Sequence, residues 1–95
     1  MDEAKKIGRA LLQKKFAGCI NILPSMHSMY YWPPRSGVIE EADEVVVIAK
    51  SLQSKYTEVE KAVREFHSYD RPCVLSVPVK NMDKKYADWL KSEIE

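Results

Sequence analysis

The sequence predicts an α+β sandwich, and three observations carry that expectation. Apolar residues recur at helical spacing in three separate stretches. Short β-branched and aromatic runs fill the middle of the chain. The inferred order is helix, strand, strand, strand, helix, strand, helix, which lets all the helices lie on one face of one sheet.

Residues 2–14 read as the first helix. Ala4, Ile7, Gly8, Leu11 and Leu12 form one apolar stripe, and Lys5, Lys6, Arg9, Gln13 and Lys14 cover the opposite side. Residues 16–23, FAGCINIL, are too short and too apolar for a surface helix, so they read as a buried strand closed by Pro24. Residues 27–32, HSMYYW, form an aromatic strand, and Pro33 to Gly37 turns the chain. Val38 to Glu41 resumes a strand and Ala42-Asp43-Glu44 turns again. Val45 to Ala49 is a β-branched run of the kind found in strands covered on both faces. The second helix spans residues 54–67, with Tyr56, Val59, Ala62, Val63 and Phe66 inward; it ends near His67, and Pro72 cannot continue it. Residues 73–79, CVLSVPV, make a further strand, with Pro78 marking an edge or an exit. Residues 83–94 close the chain as a helix carrying Tyr86, Trp89, Leu90 and Ile94 on one side.

Ninety-five residues fit one domain over positions 1–95, and 45% hydrophobic with 31% charged residues fit a folded chain rather than a disordered one. No apolar run nears the ~18 residues of a spanning helix, so no membrane role is expected. A net charge of +1 argues against a nucleic-acid partner. The opening MDEAKK has no leader character, and two cysteines are too few for a disulfide framework. The expected location is cytoplasmic, with Cys19 and Cys73 as thiols. A domain this small buries a thin core, so help from self-association is expected.

Few residues carry recognisable chemistry. His67 ends the second helix, and imidazole is a common ligand for copper and zinc. Asp70 could add an oxygen or orient the ring, and Tyr69 could donate a hydrogen bond beside it. The competing reading is a helix-end cation facing the dipole. Cys19 and Cys73 could offer soft sulfur to a metal, against the commoner role of small hydrophobes. His27 shows no acidic or thiol neighbour in sequence and reads as a surface or strand-edge residue. Tyr30 and Trp32 fall on one strand face and Tyr31 on the other; with Trp89 and Tyr86 they read as subunit contacts. Lys5, Lys6, Arg9, Lys14 and Lys15 read as a solvated basic face, and Glu40, Glu41, Asp43 and Glu44 as solvated acids of weak cation affinity. No glycine-rich phosphate loop, nucleophile–base pair or acid–base carboxylate pair stands out, so the chain is not expected to be an enzyme.

An ordered set of short stretches resembles one family. CINILP at 19–24 precedes SMYYW at 28–32; IEE at 39–41 leads into VVVIAKS at 45–51. HSYDRP follows at 67–72, VPV at 77–79 and YADWL at 86–90. Together with the lysine-rich first helix these are similar to the CutA family of divalent-cation tolerance proteins. The resemblance implies a ferredoxin-like antiparallel sheet, a homotrimer joined through its sheets, divalent metal binding of the copper type, and no catalytic turnover. It points to His67 and Asp70 as metal residues, with Tyr69 and Arg71 in the same binding loop. The trimer also resembles that of PII signalling proteins, so the alternative expectation is an interaction module for a small anion or a protein partner, near Tyr69, Lys50 and Arg71. Three features depart from the family pattern. The family's first, central strand has no counterpart, so either a longer protein or another segment is expected to fill that gap. The family's metal-linked cysteine lies in that strand and is not carried over. Pro33 to Gly37 is longer than the family's Trp-Glu-Gly-Lys turn, and His67-Ser68-Tyr69-Asp70 lacks the proline of His-Pro-Tyr-Glu.

Overall fold

The computed structural model describes residues 1–68 and 71–95. The first helix, α1 (Asp2–Gln13), buries Ala4, Ile7, Gly8 and Leu11 along the expected stripe. Asp2 and Glu3 stand in its first turn, where negative charge complements the helix dipole. Its end is closed by paired backbone bonds: the Phe16 N–H donates to the Leu11 carbonyl at 2.9 Å and the Lys15 N–H to Leu12 at 3.0 Å. This closure puts Lys15 in the left-handed region, with φ 61°.

Two long strands follow, β1 (Cys19–Tyr31) and β2 (Ile39–Lys50), paired antiparallel from Cys19 opposite Lys50 to Tyr31 opposite Ile39. The sequence predicts interruptions at Pro24 and at residues 42–44, yet both strands run through them. The register shifts between Leu23 and Met26, and that irregularity takes up Pro24, which has no N–H to give a ladder. Ala42, Asp43 and Glu44 do not turn; they pair with Ser28, His27 and Met26. The hairpin closes between Trp32 and Val38, where the Trp32 N–H donates to the Val38 carbonyl at 3.0 Å. The Trp32–Pro33 peptide bond is cis, and Arg35 and Gly37 take positive φ.

A 3₁₀ turn (Gln53–Lys55) leads into α2 (Tyr56–Phe66). Ile7, Leu11, Ala17 and Ala62 form the core, with Phe16, Ile20, Ala49, Val59, Val63 and Phe66 packed around them. Ile20 and Ala49 are cross-strand partners, so α1 and α2 cover the same face of the hairpin. Gly8 permits this approach: a Cβ there would sit 2.9 Å from Ile20 Cγ2. The Ser51 hydroxyl donates to the Phe16 carbonyl and ties the end of β2 to the start of β1.

The last helix, α3 (Lys84–Ile94), begins at Asp83, whose carboxylate accepts the Tyr86 N–H at 3.1 Å. It buries Leu90 and Ile94, and Leu90 lies against Gly18 at the base of the hairpin. The result is an α+β architecture around a two-stranded sheet. It is elongated, 47 × 26 × 23 Å.

The predicted strand over residues 73–79 is corrected. The stretch joins no ladder among the described residues. An extended segment becomes a strand only against a partner's backbone groups, and no described strand supplies them. The stretch is exposed throughout residues 75–79, and Leu75, Val77 and Val79 are 69%, 75% and 66% accessible. Among the described residues no helix is long and apolar enough to cross a membrane.

Candidate functional site

Of the candidate residues, His67 stands where α2 ends. His67 is the helix C-cap: its N–H still donates to the Val63 carbonyl at 2.8 Å, while its own backbone is extended. The chain therefore leaves the helix axis at this residue. The next peptide is anchored from elsewhere, because the Ser68 N–H donates to the Glu3 carboxylate at 2.7 Å. Hydrogen bonding from Ser68, side chain first and backbone next, holds the Glu3 carboxyl below its usual value, against an opposing contribution from burial. The first turn of α1 thus holds the peptide that follows His67. Tyr69 and Asp70, expected as binding-loop and metal residues, lie outside the described residues.

Arg71 is exposed and lines an open depression of about 220 Å³ with Glu60, Arg64, Pro72 and Val74. The floor is organised by α2. Glu60 pairs with Arg64 one turn on, at 3.2 Å. The Tyr56 hydroxyl donates to Glu60 at 3.0 Å and lies 3.3 Å from the Val74 carbonyl. That hydrogen bond to Glu60, with some burial, raises the Tyr56 phenol above its ordinary value. The depression therefore presents two guanidinium groups and one carboxylate, of which the carboxylate already has two partners.

The other candidates lie apart from this cluster in their contacts. Cys19 is half-buried at the start of β1 opposite Lys50, and its thiol is 4.0 Å from the Asn21 side-chain oxygen. Cys73 is exposed. Among the described residues no group of three His, Cys, Asp or Glu side chains is placed to hold a metal ion. Lys50, expected beside Tyr69 and Arg71, has its ammonium 5.5 Å from the Tyr86 ring. Tyr30, Trp32 and Trp89 are each nearly half exposed, and Trp89 packs on Tyr86 with ring centres 5.5 Å apart. Lys5, Lys6, Arg9, Lys14 and Lys15 are all exposed, and Lys6 and Lys14 also stand 5.8 and 5.5 Å from the centre of the Phe66 ring.

One cluster is missed by the sequence reading. His27 Nε2 is 2.7 Å from Glu41 and Nδ1 is 3.1 Å from Asp43. These partners lie far off in sequence and become neighbours only through the strand register, which sets Asp43 directly opposite His27 and Glu41 on the adjoining diagonal. Alternation in a hairpin was the available signal, and the reading of residues 42–44 as a turn concealed it.

Comparison with known proteins bears on the whole chain. A family model described as CutA1 divalent ion tolerance protein matches residues 1–93. The divalent-cation tolerance protein CutA of Archaeoglobus fulgidus is 37% identical over 95 residues, all of this chain and 89% of that protein. The chloroplastic CutA protein of Arabidopsis thaliana is 33% identical over 96% of this chain, which spans only 48% of that longer relative. Among solved structures, that of the periplasmic divalent cation tolerance protein CutA from Archaeoglobus fulgidus superposes with a TM-score of 0.94 at 36% identity, covering all of this chain and 89% of the other. CutA1 from Oryza sativa gives 0.93 at 29% identity, with 100% and 84% covered.

Proposed function

Because the chain belongs to the CutA1 divalent ion tolerance family, we propose that it works in the cytoplasm as a homotrimer that binds a divalent metal ion of the copper type and contributes to metal tolerance without catalytic turnover. Family membership carries this reading, and two features of the chain support it. The first is unfinished surface. Tyr30 and Trp32 near the tip of the β1–β2 hairpin and Trp89 on α3 are aromatic and half open, and residues 73–79 join no ladder among the described residues. Exposed strand edges are protected when copies pair. The second is the placement of His67 at a helix end, next to Ser68, whose N–H is held by Glu3.

The metal is cargo in this reading. His67 supplies an imidazole nitrogen, Asp70 an oxygen, and Cys19 is the remaining thiol candidate. The site is assigned to the seam between subunits, where groups from neighbouring copies can converge. Native mass spectrometry with and without Cu(II) tests both halves. The expected result is a three-copy particle that gains copper. His67→Ala is expected to keep the trimer and to weaken Cu(II) binding well over tenfold in calorimetric titration, as loss of one ligand in a small donor set does. A single-copy particle removes the assembly, and equal affinity removes His67.

Arg64 and Arg71 on one depression favour a second reading, a PII-like module for a small anion or an acidic partner. A ligand that binds the native state raises the melting temperature. Copper is expected to give the larger shift; a larger one from phosphate or a nucleotide gives the site to the second reading.

A further inference from the structure

We propose that His27 is a proton-operated clasp across the hairpin arm: charged, it ties Glu41 and Asp43 of β2 to β1, and neutral, it lets one of them go. The argument begins with valence. A neutral imidazole has one N–H and one lone pair, so it can donate to a single carboxylate. Here both ring nitrogens face carboxylate oxygens, at 2.7 Å and 3.1 Å. Both contacts are donor–acceptor pairs only when the ring carries two protons. Losing one proton turns one contact into a lone pair against an anion.

The same geometry disfavours a metal. The carboxylates sit at opposite ends of the ring, whereas a bound cation needs its ligands to converge within ~2.0–2.3 Å of one point.

The charges around the clasp increase its leverage. Glu41 and Asp43 face His27, and Glu40 and Glu44 project from the other face of the same stretch of β2. His27 is the one charged or titratable side chain of β1 apart from Cys19 and the tyrosines Tyr30 and Tyr31, and Arg35 in the turn is the arm's other cation. Neutral His27 therefore leaves four carboxylates within five residues with no cation opposite them. The clasp is also the next side-chain tie outward from the register shift at Leu23 to Met26, where the backbone ladder is interrupted.

Its operating direction is fixed by sign. Hydrogen bonds to Glu41 first and Asp43 second raise the His27 pKa above its ordinary 6.5. The clasp's stabilisation is full below 6.5 and is lost as pH rises through the higher folded value. Met29, Tyr31 and Ile39 lie exposed on the face His27 shares, so the proton also sets the charge beside an apolar strip.

The test uses the full chain and two variants, His27→Gln and the double variant Glu41→Gln with Asp43→Gln. The chain has two histidines, so the resonance missing in His27→Gln identifies His27 by NMR. Its titration is expected above 6.5 in the wild type and to fall back towards 6.5 in the double variant. Hydrogen exchange over residues 26–31 and 39–44, corrected for its intrinsic pH dependence, is expected to be at least about threefold slower at pH 6 than at pH 8.5. His27→Gln is expected to abolish that difference. A wild-type titration at or below 6.5, or the same pH dependence in His27→Gln, overturns the clasp. Particle mass in each variant is read separately, so a failed trimer is not mistaken for a failed clasp.

Discussion

Replacing Leu11 by alanine is expected to lower the stability of the fold by about 3 kcal/mol, near the middle of the range for a buried leucine losing its side chain. For a domain of this length that corresponds to a fall in Tm on the order of 15 °C. The position justifies the size of the effect. Leu11 is 1% accessible, and it is the largest side chain sealed so completely. It stands where α1 meets both α2 and the hairpin, among Ile7, Ala17 and Ala62. Ala17 and Ala62 are too small to move into the space it leaves. Leu12, its neighbour in sequence, is 41% accessible, and Leu12→Ala serves as the control with a change of about 0.5 kcal/mol or less. Thermal melts at one fixed protein concentration compare the three proteins, because association makes Tm depend on concentration. Equal losses for the two leucines would contradict the packing described for α1.

The second large effect concerns assembly. Tyr30→Asp combined with Trp32→Asp is expected to convert the proposed homotrimer to single copies at micromolar concentration. Tyr and Trp are the side chains whose removal most often costs ~2–4 kcal/mol at an interface. Each new carboxylate also has to be desolvated if the surface is covered again. Tyr30 lies opposite Glu40 on the hairpin and so already has an acid across from it. The far-ultraviolet circular dichroism of the variant is expected to stay close to the wild type, since neither residue belongs to the core of α1, α2 and the hairpin base. Sedimentation velocity reads the result, and an unchanged three-copy particle would move the interface away from the arm.

Much of this fold can be read from the chain because its helices are amphipathic and its turns are marked. Ile7 and Leu11 in α1, Val59 and Ala62 in α2, and Leu90 and Ile94 in α3 are inward by period, and the structure places them inward. The hairpin is less legible. Proline at 24 and three polar or small residues at 42–44 resemble breaks, but a register shift can absorb a proline and an exposed arm tolerates acids on both faces. The stretch 73–79 reads as a strand from composition alone, while its pairing depends on a partner that composition cannot supply. For the site, imidazole chemistry makes His67 a candidate, whereas Arg71 enters only through the family resemblance. The anchoring of Ser68 by Glu3 and the bridging of Glu41 and Asp43 by His27 are not local properties. They arise from tertiary closure and from register, which no spacing along the chain encodes directly.

The ribbon from Cys73 to Val79 also bears on handling the protein at high concentration. A row of open amides beside Leu75, Val77 and Val79 is a template on which stray chains can stack into fibrils. Two prolines restrict it. Pro72 stands just before the row and Pro78 within its last two residues, and each removes a donor from it. A growing stack can therefore zip only across the five residues between them, a run at the short end of what fibril cores require. These prolines act as gatekeepers, because each interrupts the run of backbone donors that a stacking chain would have to match.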